Sequence, residues 1–162
     1  MDRRLLKICI AAIAVYGMSL GISVSPAAAA SPVGLWYAEG GAAQVEIFPC
    51  SDALCGRVAW LRSPLDEDGC ELRDSNNPET ALRRRAVVGL QVLNGLRQED
   101  DGGISWVDGE IYDPASGRTY SCSAQMEGEN KLSLRGYVLG IRMLGRTTVW
   151  TRVGAIQTKC SE

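Results

Sequence analysis

Short runs of alternating apolar and polar residues recur along most of the chain, and this pattern predicts β-strands. In one such run, Ala43, Val45 and Ile47 alternate with two polar residues, which places the apolar side chains on one face of a strand. About eight runs of this kind follow one another: GLWY, AQVEIF, CGRVAWLR, VVGLQVLNGL, ISWVDGEIY, RTYSCSAQM, KLSLRGYV and RTTVWTRV. No ten-residue helical pattern survives in the chain after residue 30, so we expect an all-β fold.

The connections between these runs carry turn signals that favour antiparallel neighbours. In the segment 113–117, Pro114 presets φ and Gly117 supplies a left-handed exit. Eight consecutive short strands joined in this way predict a single up-and-down antiparallel β-barrel, because closure removes the exposed edges of an open sheet. A two-sheet sandwich is the alternative, and the near-neighbour connections favour the barrel over it.

One long polar connection, residues 63–85, interrupts the strand pattern. It holds at most a short helical turn near residues 79–84, and long loops are where functional residues concentrate. We expect the side chains of Asp74, Asn76 and Asn77 to bond the neighbouring backbone, which would hold the loop in a fixed turn.

The acidic residues of this connection have the spacing of a calcium loop only in part. Asp66, Asp68 and Asp74 supply some of the ligands of an EF-hand. A cysteine and a leucine stand where two further oxygen ligands are needed, however, and an asparagine stands where the last acid is needed. We therefore expect no metal site here, with a bound cation as the minor alternative.

The first thirty residues have the form of a secretory signal peptide. Three basic residues precede the apolar run from Ile8 to Ile22, and Ala28 and Ala30 form a small-residue cleavage site. A retained membrane anchor is the alternative, but the run is shorter than the ~20 residues that cross a bilayer. The expected organisation is a leader over residues 1–30 and one soluble domain over 31–162, either periplasmic or secreted.

Composition and charge restrict the classes of molecule that the protein is expected to bind. Without the leader the chain holds 14 Lys and Arg against 18 Asp and Glu, a net charge of about −4, which argues against binding to nucleic acid. The only basic cluster, Arg83, Arg84 and Arg85, has no interleaved aromatic residue and is expected to be a solvated turn.

Five cysteines remain after the leader, and an odd number leaves one thiol without a partner inside the chain. Cys50 and Cys55 flank a short polar loop between two strand-like runs and are expected to form a disulfide in an oxidising compartment. Zinc would need four ligands, and the chain has no histidine. Of the other three cysteines, we favour a Cys70–Cys122 bridge that leaves Cys160 free.

Trp36 lies a few residues after the expected cleavage site, where a chain usually frays unless something holds it. Arg152 lies late in the last predicted strand. If the first and last strands pair, the Arg152 guanidinium can lie across the Trp36 ring within about 6 Å. This contact would close the barrel.

Two family resemblances follow from these residues. Gly34 and Trp36 on the first strand, with Arg152 on the last, resemble the closure pattern of lipocalins and their calycin relatives. The segment from Gly34 to Val153 also resembles an exported bacterial family, domain of unknown function 2147. Six blocks carry this resemblance: VGLWYAEGG, FPCSDALCGRVAWL, DEDGCELRDSNNPE, GEIYDPASGRTYSC, LRGYVLG and VWTRV. The resemblance implies a small lipocalin-like barrel and no known activity.

Candidate chemistry is limited, because a chain without histidine cannot build a Ser-His-Asp device. We expect no catalytic residue and no cofactor.

Strict alternation puts Trp60 on the same face as Val58. A barrel of about eight strands has room for side chains or one small ligand. The residues that we expect to line such a ligand site are Arg57, Trp60, Tyr112, Tyr120 and Arg135.

The leading hypothesis is therefore a secreted lipocalin-like protein that binds a small apolar or amphipathic ligand without catalysis. Tyr112 and Tyr120 can instead be ordinary core residues. An envelope structural or interaction protein with a filled barrel is the second hypothesis, and an enzyme that uses the carboxylates of residues 66–77 is the third. The sequence leaves the oligomeric state open.

Overall fold

The computed structural model describes residues 30–99 and 103–154, apart from the side chain of Arg142. Within these ranges the chain forms eight strands, each antiparallel to the next, and the last returns to pair with the first, so that the barrel is closed. The predicted all-β up-and-down barrel is confirmed. The strands are β1 Gly34–Tyr37, β2 Ala43–Cys50, β3 Ala53–Leu61, β4 Gln91–Gln98, β5 Ser105–Asp113, β6 Arg118–Met126, β7 Lys131–Tyr137 and β8 Gly145–Arg152.

The period-two pattern of the sequence becomes an apolar interior because alternate side chains of each strand point into the barrel. Tightly packed residues fill the interior near the end that holds the β2–β3 and β6–β7 turns, which we call the closed end. The largest of these fully buried apolar side chains are Trp36, Ile47, Leu93, Leu96, Met126 and Leu132. This half of the barrel is a conventional hydrophobic core.

Trp36 and Arg152 join the first strand to the last, as predicted. The two residues are register partners in the β1–β8 pair, and the Arg152 guanidinium lies 4.2 Å from the centre of the Trp36 ring. Gly34 adopts a φ of 128°, and a Cβ there would lie 2.9 Å from an Arg152 guanidinium nitrogen. A larger residue at position 34 would therefore push Arg152 off the ring.

The same arginine fastens the start of the described chain across the closed end. Its guanidinium donates hydrogen bonds to the backbone carbonyls of Ser31 (2.6 Å), Val33 (2.9 Å) and Glu129 (2.7 Å). The Trp36 indole Nε1 donates to the Pro32 carbonyl at 2.7 Å. The segment before β1 is thus held by three hydrogen bonds, to the carbonyls of Ser31, Pro32 and Val33, at the point where fraying would otherwise begin.

The connection between β3 and β4 is the long polar loop that the sequence predicts, with one 3-10 turn at Thr80–Leu82. The arginine cluster that follows this turn is exposed, as expected from the sequence, but two of its three side chains also have partners within the loop. Arg83 donates to the Asn77 carbonyl at 2.7 Å, and Arg85 forms an ion pair with Asp74 at 2.9 Å. Arg83 and Arg85 therefore help to hold the loop in shape although they lie at its surface.

The structure confirms one predicted disulfide and rejects another. Cys50 and Cys55 are bonded across the β2–β3 turn. Cys70 is exposed in the long loop, whereas Cys122 is buried in β6, and both are free thiols. The favoured Cys70–Cys122 bridge is wrong because the Cys122 side chain belongs to the hydrophobic core of the barrel, out of reach of a surface loop.

Alkylation of the native protein should distinguish these two thiols. Cys70 should react with iodoacetamide quickly, whereas Cys122 should react only after unfolding. Cys122 is fully buried, and burial, with a smaller effect from Glu110, raises the pKa of its thiol to about 12, so the reactive thiolate is scarce. Peptide mapping by mass spectrometry measures both sites. A cross-linked peptide that contains Cys70 and Cys122 would contradict this assignment.

Two sequence-based predictions lie outside the described residues: the signal peptide up to Ala29, and the free thiol of Cys160. No helix in residues 30–99 or 103–154 is long and apolar enough to cross a membrane.

Candidate ligand site in the barrel

Four connections gather at the end of the barrel opposite the closed end, because alternate turns of a meander lie at the same end. They are the β1–β2, β3–β4, β5–β6 and β7–β8 connections, and we call this the open end. A cavity of about 590 Å³ lies inside the barrel there. Glu39, Pro114 and Leu144, which belong to three of these connections, lie on its rim.

The cavity walls are mainly apolar and come from seven strands. Inward-facing residues of β2 to β8 supply them, since alternation places every second side chain on the inner face. The apolar residues of the wall include Ala43, Val45, Val58, Val92, Ile111, Leu134 and Trp150. Tyr120 adds a ring to this wall. The interior therefore offers a ligand a largely hydrophobic surface.

Charged and polar groups gather at the mouth of the cavity instead of its depth. Arg146 forms an ion pair with Glu39 at 2.8 Å, and both side chains are well exposed. Asp113 also lines the cavity, and its carboxylate is occupied by the Ala115 backbone N–H and the Ser116 hydroxyl. The site is apolar inside and polar at its entrance.

Tyr112 connects the cavity to the long loop. Its side chain lines the cavity, and its hydroxyl donates a 2.5 Å hydrogen bond to Asp74. Asp74 is fully buried and also accepts hydrogen bonds from Asn77 at 2.8 Å and Arg85 at 2.9 Å. The Arg85 guanidinium lies 5.8 Å from the centre of the Tyr112 ring. We call these four residues the loop cluster.

The electrostatics of the loop cluster keep Asp74 ionised and Tyr112 protonated. Burial by itself raises the pKa of Asp74, but the hydrogen bonds from Tyr112, Asn77 and Arg85 outweigh this effect and hold the pKa below its usual range. Burial and the bond to the carboxylate raise the pKa of Tyr112. The tyrosine hydroxyl therefore remains a donor to a charged acceptor.

A second contact holds the long loop against the open end. The Asn76 side chain donates to the Ala115 carbonyl in the β5–β6 turn at 2.8 Å. A Cβ at Gly117, which has a φ of 68°, would come within 1.9 Å of the Asn76 carbonyl oxygen. The predicted turn residues thus fix the loop. Asn77 accepts a hydrogen bond from the Glu79 backbone N–H at 2.9 Å, as predicted. Asp74 bonds side chains of the loop and of β5, and Asn76 bonds the β5–β6 turn.

Of the five residues predicted to line a ligand site, the structure brings Tyr112 and Tyr120 to the cavity. Arg57 lies on the outer surface, where it pairs with Glu46 at 2.7 Å. Arg135 bonds the Thr147 hydroxyl at 2.8 Å on an exposed face. Neither arginine lines the cavity, because both alternate with inward-facing neighbours on their strands.

Trp60 also lies away from the cavity, on the outer face, where its ring meets that of Tyr37 edge to face. The cause is a bulge in the β2–β3 ladder: Gln44 pairs with Trp60, but Val45 pairs with Val58. The extra residue, Ala59, breaks the alternation and turns Trp60 to the opposite face from Val58. The expectation that Val58 and Trp60 share a face is therefore wrong.

The sequence reasoning missed several cavity residues. Trp150 and Leu134 were visible only as apolar positions of alternating strands, which a core residue and a cavity residue share. Arg146 gave no signal either, since its position at the mouth depends on the path of the β7–β8 connection. All three lie on the paired strands β7 and β8, and only the closed barrel makes their shared face the wall of a cavity.

The acidic residues of the long loop do not assemble a metal site. Asp66 accepts hydrogen bonds from the backbone N–H groups of Asp68 and Cys70, which makes it a local turn residue. Among the described residues, no group of three or more His, Cys, Asp or Glu side chains is placed to hold a metal ion.

Comparisons with known proteins agree with this architecture. A profile of the family described as "Uncharacterized protein conserved in bacteria (DUF2147)" matches residues 34–152. Among solved structures, the chain is similar to HP1028 of Helicobacter pylori, which is described as belonging to the lipocalin family, with a TM-score of 0.64 and 22% sequence identity. The match covers 75% of this chain and 82% of that one, and it shows a shared lipocalin-like fold. A comparison with curated proteins gives no match.

Proposed function

The chain belongs to the DUF2147 family of bacterial proteins, and on that premise we propose that it is a binding protein whose barrel holds one small, mostly apolar ligand. The proposal includes no catalytic step. It rests chiefly on one observation, the cavity of about 590 Å³ at the open end of the barrel. Sites for small molecules usually have volumes of about 300–1,000 Å³, apolar walls and a few polar groups.

The distribution of polar groups suggests how the ligand is oriented. Its apolar part would lie against the inner wall beside Tyr120 and Trp150, since burying apolar surface is favourable by about 25 cal/mol per Å². Its polar end would remain at the mouth near Arg146, because a polar group without a partner is costly to bury. An amphipathic molecule meets both conditions better than a wholly polar one.

The alternatives from the sequence have less support. A filled barrel would leave no room inside the open end, and the packed core occupies only the closed end. A carboxylate enzyme would need an acid with a free oxygen facing the cavity, whereas Asp74 is fully buried and its carboxylate is occupied by three donors. The cavity therefore favours binding over either alternative.

We further propose that the protein acts outside the cytoplasm, in the periplasm or after secretion. The leader-like sequence of residues 1–30 supports this location. The Cys50–Cys55 disulfide also supports it, since such bonds persist in oxidising compartments.

Filling the cavity with a larger side chain should abolish binding. Gly136 lines the cavity, and a Cβ at this position would make only ordinary contacts, 3.8 Å from Tyr120 and 3.9 Å from Ile111. Gly136→Leu should therefore fold and occupy ligand space. The new leucine should displace at least two methylene groups of the ligand from the cavity, and burial of each contributes about 0.8 kcal/mol. Gly136→Leu should therefore bind the ligand at least about tenfold more weakly. Titration with the apolar fluorophore N-phenyl-1-naphthylamine measures this affinity.

Gln125→Leu is the matched control, because Gln125 is exposed and the new leucine adds the same apolar group outside the barrel. Circular dichroism should show that both variants fold. Native mass spectrometry of protein purified without denaturant tests for a retained ligand. Equal fluorophore affinity in the wild-type protein and a folded Gly136→Leu variant would reject the cavity as the binding site.

A further inference from the structure

The connection between β7 and β8 exposes an unusual amount of apolar surface. Four of its large side chains have 46–89% of their surface in solvent: Leu139 at 87%, Ile141 at 46%, Met143 at 89% and Leu144 at 61%. Val138, beside them, is 41% exposed. A contiguous exposed apolar patch usually marks a protein or membrane contact. We call residues 138–144 the apolar loop.

The backbone of the apolar loop forms two turns, and these side chains point outward. Backbone hydrogen bonds join Ile141 to Val138 and Leu144 to Ile141, both at 3.0 Å. Leu139 has a φ of 53°, a left-handed conformation that is uncommon for a non-glycine residue and unfavourable for leucine. Strain of this kind persists where a structure needs the side chain in one position, and here that position is in solvent.

The charge around the apolar loop indicates what kind of surface it meets. Residues 138–146, the apolar loop and the two residues after it, hold two arginines and no acidic residue, although the whole chain has a net charge of −2. Arg142 lies within the loop and Arg146 follows it. Glu39 pairs with Arg146 and offsets part of this charge. Apolar side chains among basic residues are typical of protein segments that lie in the interface of an anionic bilayer.

The position of the loop links it to the cavity. Val138 and Leu144 belong both to the apolar loop and to the cavity lining, so the loop forms one side of the cavity mouth. We propose that the apolar loop docks the open end of the barrel onto the surface of a membrane that contains anionic lipid. This contact does not depend on what the cavity binds, and it would place the cavity mouth against the bilayer.

Flotation with lipid vesicles tests the proposal. The protein should be recovered from the periplasm and its N-terminus verified by mass, because an uncleaved apolar leader would itself bind vesicles. We expect it to float with phosphatidylethanolamine–phosphatidylglycerol vesicles, less with pure phosphatidylcholine vesicles, and less as salt is raised. Leu139→Ser combined with Met143→Ser should reduce binding at least about tenfold, since both side chains are exposed and free to insert.

Ile104→Ser is the matched control, because Ile104 is 42% exposed in the β4–β5 connection at the closed end; it should float like the wild-type protein. Equal flotation of the double variant and the wild-type protein, or no flotation of either, would overturn the proposal. Self-association in sedimentation experiments that the double variant abolishes, without vesicle binding, would identify a second copy as the occupant and also overturn it. Gly136→Leu should still float, which separates this proposal from that of the cavity.

Discussion

Trp36→Ala should destabilise the barrel by about 3–5 kcal/mol, the largest effect that we expect from a single substitution. Trp36 is fully buried in the core, and its removal leaves a cavity between β1, β2 and β8. It also removes the ring beneath Arg152 and the hydrogen bond to Pro32. Urea denaturation followed by circular dichroism measures the change in the free energy of unfolding.

Trp60→Ala is the matched control, since it removes the same side chain from the outer face. Trp60 is only partly buried and packs edge to face against Tyr37, so we expect a loss of about 1–2 kcal/mol. If both variants lose the same stability, the barrel does not depend on closure at Trp36.

Arg152→Lys tests the other half of the closure contact. A lysine keeps the charge but loses the planar face on the indole and the geometry that serves three carbonyl groups at once. We expect a loss of about 1–2 kcal/mol from the cation–π contact and these hydrogen bonds together. A stability equal to that of the wild-type protein would mean that charge alone closes the barrel.

Asp74→Ala should have the second largest effect, a loss of about 2–3 kcal/mol. The carboxylate is fully buried and serves Tyr112, Asn77 and Arg85, and hydrogen bonds to charged groups contribute about 1.5–3 kcal/mol each when intact. The loss is smaller than the sum of these bonds because the Arg85 side chain is 38% exposed, so water can take the place of the Asp74 carboxylate as its hydrogen-bond partner. Urea denaturation measures the loss of stability.

Hydrogen exchange should locate the effect of Asp74→Ala in the β3–β4 loop and in the β5–β6 turn that it contacts. Asp68→Ala is the control, since it removes an exposed carboxylate from the same loop. Protection of the loop that is unchanged in Asp74→Ala would show that the loop cluster does not hold it.

The stability of the protein should also depend on pH through Asp74. Its pKa is lowered in the folded state, so its contribution is present in full above the unfolded value of about 3.9. This contribution is lost as pH falls from there through the folded pKa. Asp74→Asn should be less stable at neutral pH and lose less stability in acid. Parallel pH profiles of the two proteins would contradict the assignment.

Local pattern was enough to predict most of the architecture. Alternation is a property of neighbouring residues, so the eight strands and their order could be read from runs such as AQVEIF. Closure could be predicted because Trp36 and Arg152 are distinctive residues of the first and last strands. The Cys50–Cys55 bond followed from short spacing, which leaves little choice of partner.

Features that depend on the register between strands could not be predicted. One extra residue at Ala59 turned Trp60 to the outer face, and alternation read along a single strand contains no sign of the bulge. Tyr112 was predicted at the cavity, but its bond to Asp74 joins residues 38 positions apart. The spacing of residues along the chain does not indicate which side chains meet across so many positions.

The sequence by itself determined the strands, their antiparallel order, the closing contact and one disulfide, because each depends on nearby residues or on rare residue types. The tertiary structure alone decided that the closed end is filled and the open end hollow. It also decided that Arg85 and Tyr112 bond Asp74 and that the Cys122 thiol is buried in the core. An inward-facing apolar residue has the same pattern whether it packs against a neighbour or faces a cavity. The difference depends on how side chains from all eight strands share the interior volume.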